Sequence, residues 1–241
     1  NLFLEVNMEN IKRIIFDLDN TLVLWKDEYT SALKKAIKDH DVKCDYRDID
    51  AILESQEKLH EVLTKEQFLE DINNGCNLNL TIEFIDSILE YQKELVVKND
   101  TDLIETIEYL SNKYELVLLT NWFKDTQKGR LENAGILKYF KEVYGGDEGR
   151  IKPHKDSFKR AIGNHTKEEC IMIGDSDYHD IQGALTFGIK VIKCDYKDEV
   201  KEKLLWLSVQ DNTASYRFSR YYVHEGFNKK YHIHYYKDGK I

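Results

Sequence analysis

The chain has 241 residues, enough for one large domain or for a core with a smaller second domain. Hydrophobic residues make up 41% and charged residues 33% of the sequence, a balance that excludes a largely disordered chain. The net charge of −9 argues against a nucleic-acid binder, because such proteins gather lysine and arginine on one face, but it leaves room for a small phosphorylated ligand.

Cysteine usage and hydropathy indicate the compartment. The four cysteines form no CxxC or zinc-type pair, so we expect free thiols. No apolar run approaches the roughly 20 residues of a membrane helix, and no signal-peptide pattern opens the chain. Met8 is a candidate natural start, so residues 1–7 are interpreted as a lead-in. We therefore expect a soluble, cytoplasmic protein without membrane contact.

The first predicted element is a buried strand that ends at two acidic residues. Lys12 to Phe16 is short and rich in isoleucine, as parallel strands are, and Asp17 and Asp19 follow it. Side chains at i and i+2 of a strand point to one face, so the two carboxylates would repel each other unless a cation lies between them or one holds a proton. A hard ion such as Mg2+ would resolve this conflict. The alternative interpretation is an ordinary acidic turn.

The next segment is predicted to be helical. Apolar residues recur at spacings of three and four through residues 29–38, 49–53, 66–72 and 82–92. Polar loops separate these stretches. The pattern predicts an all-helical insertion between the first strand and the rest of the chain.

Strand and helix patterns alternate after this insertion. Helices are predicted from about residue 101 and over 125–134, 155–163 and 180–187, and strands over 115–120, 139–144, 170–174 and 190–194. Repeated strand-helix-strand units predict a parallel sheet with right-handed crossovers. Ligands of such sheets bind beyond the carboxyl ends of the strands, where Asp17, Asp19, Thr120 and Asp175 fall.

The composition changes after residue 210. Residues 211–241 contain six of the fifteen tyrosines, and aromatic and polar residues alternate near two glycines. This pattern predicts a β-hairpin. A dimer contact, a cover for the sheet edge and a docking site for a partner are open roles for this extension.

Four motifs carry a resemblance to a known family. They are Phe16-Asp17-Leu18-Asp19, Leu118-Leu119-Thr120-Asn121, Lys152-Pro153 and Gly174-Asp175-Ser176-Asp177-Tyr178-His179-Asp180. In this order they resemble the motifs of the haloacid dehalogenase-like (HAD) superfamily, whose members are mostly Mg2+-dependent phosphatases. The resemblance implies an α/β fold, with a Rossmann-like doubly wound parallel sheet formed by residues 8–23 and 99–210. Residues 24–98 would form a small all-helical C1 cap, and residues 211–241 lie outside the resemblance.

The resemblance also implies catalytic and substrate-binding roles. Asp17 would be the nucleophile that forms an aspartyl-phosphate, and Asp19 the general acid and base. Lys152 would offset negative charge on the nucleophile and on the transferring phosphoryl group. The hydroxyl of Thr120 and the backbone N–H of Asn121 would hold phosphoryl oxygens.

A Mg2+ site follows from the same resemblance. Its expected residues are Asp17, Asp19 through its backbone carbonyl, Asp175 and Asp180. Asp180 would contact the ion through water or orient its neighbours. Asp177 is the second candidate for that position.

The function implied by the resemblance is a phosphomonoesterase for a small phosphorylated metabolite. Residues 119–135 resemble the corresponding region of nucleotidase-type and phosphoglycolate phosphatase-type members, so nucleoside monophosphates and phosphoglycolate-like compounds are the leading substrates. Asp19 counts against dehalogenation, because dehalogenating members lack this residue. A phosphomutase and a scaffold protein that uses its extension are the alternatives. We expect no nucleic-acid partner and either a monomer or a homodimer.

Overall fold

The computed structural model describes residues 10–23, 28–59, 61–95, 101–194 and 233–234. The predicted lead-in at residues 1–7 and most of the predicted hairpin at 211–241 lie outside these ranges. Within them, no helix is both long and apolar enough to cross a membrane.

A twisted sheet forms the centre of the molecule. Its five parallel strands are β1 (Arg13–Phe16), β2 (Glu115–Leu119), β3 (Glu142–Tyr144), β4 (Cys170–Gly174) and β5 (Lys190–Cys194), and β6 (Ile233–His234) pairs antiparallel with β5. The strand order is β3-β2-β1-β4-β5-β6, so the chain winds outward from β1 in both directions. This order confirms the predicted doubly wound α/β fold.

Helices cover both faces of the sheet. They are α5 (Thr101–Ser111), α6 (Lys124–Asn133), α7 (Lys155–Ile162) and α8 (Gly183–Phe187). Phe16 and Leu118 face a core that includes Leu131 of α6, while the alternate residue Val117 packs with Phe158 of α7 on the other face. Burial on both faces explains why these strands are continuous apolar runs in the sequence.

Four further helices lie over one edge of the sheet, and we call them the cap helices. They are α1 (Glu28–Asp39), α2 (Tyr46–Glu57), α3 (Lys65–Cys76) and α4 (Ile82–Lys93). Their shared core includes Leu33, Phe68 and Phe84. Trp122 and Phe123, from the loop after β2, pack into the same core, and the rings of Phe68 and Phe123 are 5.5 Å apart. The cap helices are thus anchored beside the carboxyl ends of the strands.

Two elements differ from their predicted form. The predicted strand at 139–144 begins only at Glu142, because Leu137–Tyr139 forms a 3-10 turn. The predicted helix at 180–187 starts earlier, with a π-helical segment at Asp177–Gln182 that leads into α8. The side chain of Ser176 caps this segment by accepting a hydrogen bond from the backbone N–H of His179. Apolar periodicity does not report such local capping.

Candidate active site

The candidate active site lies at the carboxyl edge of the sheet. Asp17 directly follows β1, Thr120 follows β2 and Asp175 follows β4. Lys152 comes from the loop between β3 and α7. All four residues line a cavity of about 380 Å3 between the sheet edge and the cap helices. The fold therefore brings groups from four separate segments to one cleft.

A buried lysine connects two of the acidic residues. Lys152 is 2% exposed, and its Nζ atom lies 2.7 Å from both Asp17 Oδ1 and Asp180 Oδ1. Burial alone would lower the pKa of Lys152, but the two carboxylates outweigh this effect and raise it. Burial raises the pKa of Asp17 well above its ordinary value; Lys152 opposes this shift, and Asp180 and Asp175 add to it. Lys152 thus pairs with two carboxylates, and the charge of Asp175 acts on one of them, Asp17.

The three carboxylates are close enough to share a metal ion. Asp17, Asp175 and Asp180 each offer an oxygen atom, and these atoms lie within 4.8 Å of one another. Oxygen donors at this spacing fit a hard divalent cation such as Mg2+. A cation would also relieve the like-charge repulsion that contributes to the raised pKa of Asp17. The donor set and its electrostatics therefore both fit Mg2+.

Asp180 lies inside the cleft and Asp177 outside it. One oxygen of Asp180 accepts a hydrogen bond from Lys152, and the other accepts the backbone N–H of Ser176 at 3.0 Å. A Cβ atom on Gly174 would lie 2.3 Å from Asp180 Oδ2, so glycine is needed there for the close approach. Asp177 is exposed and pairs with Lys193 at 2.6 Å. Asp180 is therefore placed to orient Lys152 rather than to bind an ion with both oxygens.

Thr21 is a buried residue that contacts two carboxylates of the cleft, and the sequence analysis missed it. Its hydroxyl lies 3.1 Å from Asp17 Oδ2 and 3.5 Å from Asp175 Oδ1. The chain turns back on itself at Asn20, whose φ of 61° is in the left-handed region. This turn brings Thr21 beside Asp17. The asparagine at position 20 is the sequence signal that could have revealed the turn.

Asp19 has its own partners in the cleft. β1 ends at Phe16, so Asp17 and Asp19 lie beyond the strand, where the alternation of side chains along a strand does not apply, and both line the cavity. Asp19 forms an ion pair with Arg130 and accepts a hydrogen bond from Gln127 Nε2 at 2.9 Å. The sequence analysis missed both partners, because an apolar stripe does not reveal polar residues that a helix buries.

Thr120 and Asn121 have well-defined partners. Thr120 Oγ1 accepts hydrogen bonds from Gln127 Nε2 at 3.0 Å and from the backbone N–H of Trp122 at 3.3 Å. A hydroxyl has two lone pairs and one hydrogen, so that hydrogen can be donated to an oxygen in the cavity. The side chain of Asn121 binds the backbone N–H and C=O of Lys152, at 2.8 and 3.0 Å. Asn121 thus fixes the lysine loop, a role that the motif did not indicate.

The sheet, the cap helices and the cleft together define an α/β protein with helices over the carboxyl edge of its sheet, and the comparison with known families identifies its class. A family model described as haloacid dehalogenase-like hydrolase matches residues 14–194. The chain belongs to the haloacid dehalogenase-like hydrolase family. This confirms the resemblance that the four motifs indicated.

Several relatives have named activities. Pyrimidine 5'-nucleotidase PynA of Streptococcus pneumoniae is 27% identical over 201 residues, which span 75% of this chain and 82% of that protein. Pyrophosphatase PpaX of Listeria monocytogenes is 31% identical over 71% of this chain and 77% of its own length. Human N-acylneuraminate-9-phosphatase is 26% identical over 77% of this chain and 82% of its own length. These relatives act on different phosphorylated compounds.

Solved structures agree with the fold. The HAD-hydrolase YfnB from Bacillus subtilis, solved bound to magnesium, has a TM-score of 0.61 at 20% identity and covers 75% of this chain and 87% of its own. L-2-haloacid dehalogenase from Xanthobacter autotrophicus has a TM-score of 0.58 at 16% identity, with 82% and 83% covered. At these identities the likeness concerns the fold alone.

Proposed function

We propose that this protein is a Mg2+-dependent phosphomonoesterase that acts on a small phosphorylated metabolite through an aspartyl-phosphate intermediate. The observation that carries this proposal is the buried pair of Lys152 and Asp17, which borders both the carboxylate trio and the cavity. A fixed positive charge beside a carboxylate that lines a substrate-sized cavity is what the proposed nucleophile requires. The phosphatases and the nucleotidase among the relatives support the same reaction class.

In the first step, Asp17 attacks phosphorus. A new bond forms between an Asp17 oxygen and phosphorus while the bond to the leaving oxygen breaks, and Asp19 gives its proton to that oxygen. Lys152 and the hydroxyl hydrogen of Thr120 offset the negative charge of the phosphoryl oxygens. Asp17 and Asp175 would hold Mg2+, which would supply further charge neutralisation when bound.

In the second step, water hydrolyses the aspartyl-phosphate. Asp19, now a carboxylate, takes a proton from the water, whose oxygen bonds to phosphorus. The bond between phosphorus and Asp17 breaks, which releases inorganic phosphate and restores both carboxyl groups to their starting states. One phosphate ester and one water thus give one alcohol and one phosphate.

The metal requirement is tested with two neighbouring aspartates. In the presence of Mg2+, we expect the native chain to release phosphate from some members of a panel of phosphorylated metabolites. We expect this release to stop when a chelator removes the ion. Asp175→Asn should lower the Mg2+ affinity at least about tenfold, because it removes a ligand. Mg2+ at 100 times its Kd should stabilise the native fold by about 2.7 kcal/mol, measured as a shift in melting temperature.

Asp177→Asn is the matched control for that variant. Asp177 is exposed and paired with Lys193, so its loss should leave phosphate release and the Mg2+-induced melting shift unchanged. Phosphate release that persists in chelator would contradict the metal requirement. Equal loss in both variants would contradict the assignment of Asp175. A native chain that releases no phosphate across the panel would contradict the proposed function itself.

The residues that line the cavity also favour one kind of leaving group over another. On the side of the cavity formed by the cap helices, Leu33 is apolar and Asp50 and Glu54 add two carboxylates from successive turns of α2, with Lys58 close by in sequence as a cation. Trp122 adds further apolar surface. Partial burial, and then the charge of Glu54, raise the pKa of Asp50. A leaving group with its own carboxylate or phosphate would meet repulsion here. An uncharged leaving group, such as a nucleoside, would instead find hydrogen-bond acceptors.

We expect a double substitution, Asp50→Asn with Glu54→Gln, to change this selectivity. The ratio of kcat/KM for phosphoglycolate to that for a nucleoside monophosphate should rise about tenfold, because two like charges no longer face the anionic leaving group. Asp48→Asn, on the exposed side of the same helix and outside the cavity, is the matched control. A native preference for phosphoglycolate, or an unchanged ratio in the double variant, would contradict the choice of leaving group.

A further inference from the structure

A buried arginine lies next to the proposed acid and base. Arg130, on α6, is 0% exposed, and its Nη1 atom forms an ion pair with Asp19 Oδ1. Removing a guanidinium from water is costly unless an opposite charge compensates. Asp19, which is 25% exposed and lines the cavity, supplies that charge in its carboxylate form, the form that takes a proton from water in the proposed second step. The ion pair therefore connects a buried side chain of α6 to a carboxylate that lines the cavity.

Gln127 holds the other oxygen of the same carboxylate. It precedes Arg130 by one helical turn, so both side chains reach the same side of α6. Its Nε2 atom donates to Asp19 Oδ2 at 2.9 Å and to Thr120 Oγ1 at 3.0 Å. Oδ2 thus lies on the side of Thr120, where we place the phosphoryl group, while Oδ1 faces Arg130.

Tyr29 adds a contact from the cap helices. Its hydroxyl lies 3.3 Å from Asp19 Oδ2 and 2.7 Å from Arg130 Nη1, and its ring centroid is 4.8 Å from the guanidinium carbon. Burial, and then the charge of Asp19, raise the pKa of Tyr29 well above its ordinary value, so the phenol keeps its hydrogen. Side chains from α6 and α1 therefore both contact the Asp19 carboxylate at the edge of the sheet.

We propose that Arg130 is a positioning residue for Asp19, and that Gln127 and Tyr29 assist it. Arg130 engages Oδ1, while Gln127 and Tyr29 contact Oδ2, so the three side chains fix the orientation of the carboxyl group that exchanges protons with the leaving group and with water. This inference rests on the proposed function, because it needs Asp19 to act as acid and base. General acid–base catalysis depends on such geometry, so loss of the orientation should be visible in the kinetics.

The leaving group provides the test. An alkyl phosphate needs a proton on its leaving oxygen, whereas p-nitrophenyl phosphate, with a stable phenolate, does not. The value of kcat/KM reports the first irreversible step, which is transfer to Asp17. In Arg130→Met we expect kcat/KM to fall about 100-fold for the alkyl phosphate that the native chain hydrolyses fastest. For p-nitrophenyl phosphate it should change less than about threefold, because that step needs no general acid.

Further variants separate positioning from general damage to the fold. Arg130→Lys keeps the charge but loses the planar fork, so it should show a smaller loss with the same leaving-group dependence. Tyr29→Phe removes one hydroxyl from the network and should lower kcat/KM for the alkyl ester about fivefold. It keeps the inference testable if Arg130→Met does not fold. Arg150→Met, which removes an exposed arginine paired with Glu61, is the control and should match the native chain.

A double variant completes the test. The double variant combines Asp19→Asn with Arg130→Met. It should hydrolyse the alkyl ester as slowly as the single variant Asp19→Asn does, because Arg130 acts only through Asp19. Additive losses, or equal losses on both esters in the single variants, would overturn the role of Arg130 while the phosphatase function stands. A native chain that hydrolyses neither ester would overturn both proposals.

Discussion

Replacing Asp17 by asparagine is expected to lower kcat by about 10⁴-fold or more, because the proposed nucleophile is lost. Asparagine has nearly the same shape as aspartate, but its amide cannot attack phosphorus or carry the charge. Lys152 keeps Asp180 as a partner at 2.7 Å, so the variant should retain its fold. The measurement is phosphate release at saturating Mg2+, with circular dichroism and melting temperature to show that the fold is unchanged.

The same variant tests the covalent intermediate. Native protein quenched in acid during turnover should gain the mass of one phosphoryl group, and mild alkali should remove it, as expected for an acyl phosphate. The variant should gain nothing. Asp41→Asn, at an exposed residue paired with Lys43 on the surface, is the matched control and should behave as the native chain does. Native rates of phosphate release in the Asp17 variant would refute the assigned nucleophile.

The fold and the positions of the motif residues were accessible from the sequence because they depend on strong local signals. The run of apolar residues before Asp17 could only be a buried strand or a buried helix segment, and its shortness favoured a strand. Strands that alternate with helices must be parallel, and parallel strands end at one edge. Asp17, Thr120 and Asp175 therefore had to meet, whatever the exact packing.

The partners of Asp19 were not accessible in the same way. Gln127, Gly129 and Arg130 are buried on a helix with little apolar character, and periodicity assigns such residues to solvent. Their burial depends on how α6 packs against the loop after β1 and against α4, which is a tertiary property. The carboxylates that α2 contributes to the cavity, Asp50 and Glu54, escaped notice for the same reason. What a cap helix presents to substrate depends on its placement over the sheet.

Replacing Lys152 by methionine is expected to impair both catalysis and stability. Loss of its charge should lower kcat by about 100- to 1000-fold, the scale for one preorganised electrostatic contact. Two buried carboxylates, Asp17 and Asp180, would lose their shared cation, and breaking a buried pair costs about 3–5 kcal/mol of unfolding free energy. Phosphate release with Mg2+ measures the effect on catalysis, and urea unfolding in chelator at neutral pH measures the effect on stability.

The stability loss should depend on pH with a definite sign. Without Lys152, nothing opposes the effects of burial and of Asp180 and Asp175, so the pKa of Asp17 should rise further above its unfolded value. A carboxyl with a raised folded-state pKa destabilises the fold as pH rises through the interval between its unfolded and folded pKa values. The deficit of the variant relative to the native chain should therefore be largest at neutral pH and should shrink in acid.

Two comparisons decide whether the charge of Lys152 is the cause. Lys65→Met removes a surface lysine that pairs with Asp86 at 2.5 Å, and we expect it to cost no more than about 1 kcal/mol because solvent screens exposed pairs. Lys152→Arg keeps the charge in a larger group and should lose less activity than Lys152→Met. A methionine variant with kcat within about threefold of native would show that the buried cation is not needed for phosphoryl transfer. A pH-independent deficit would instead assign the stability loss to packing, because methionine and lysine fill the buried space differently.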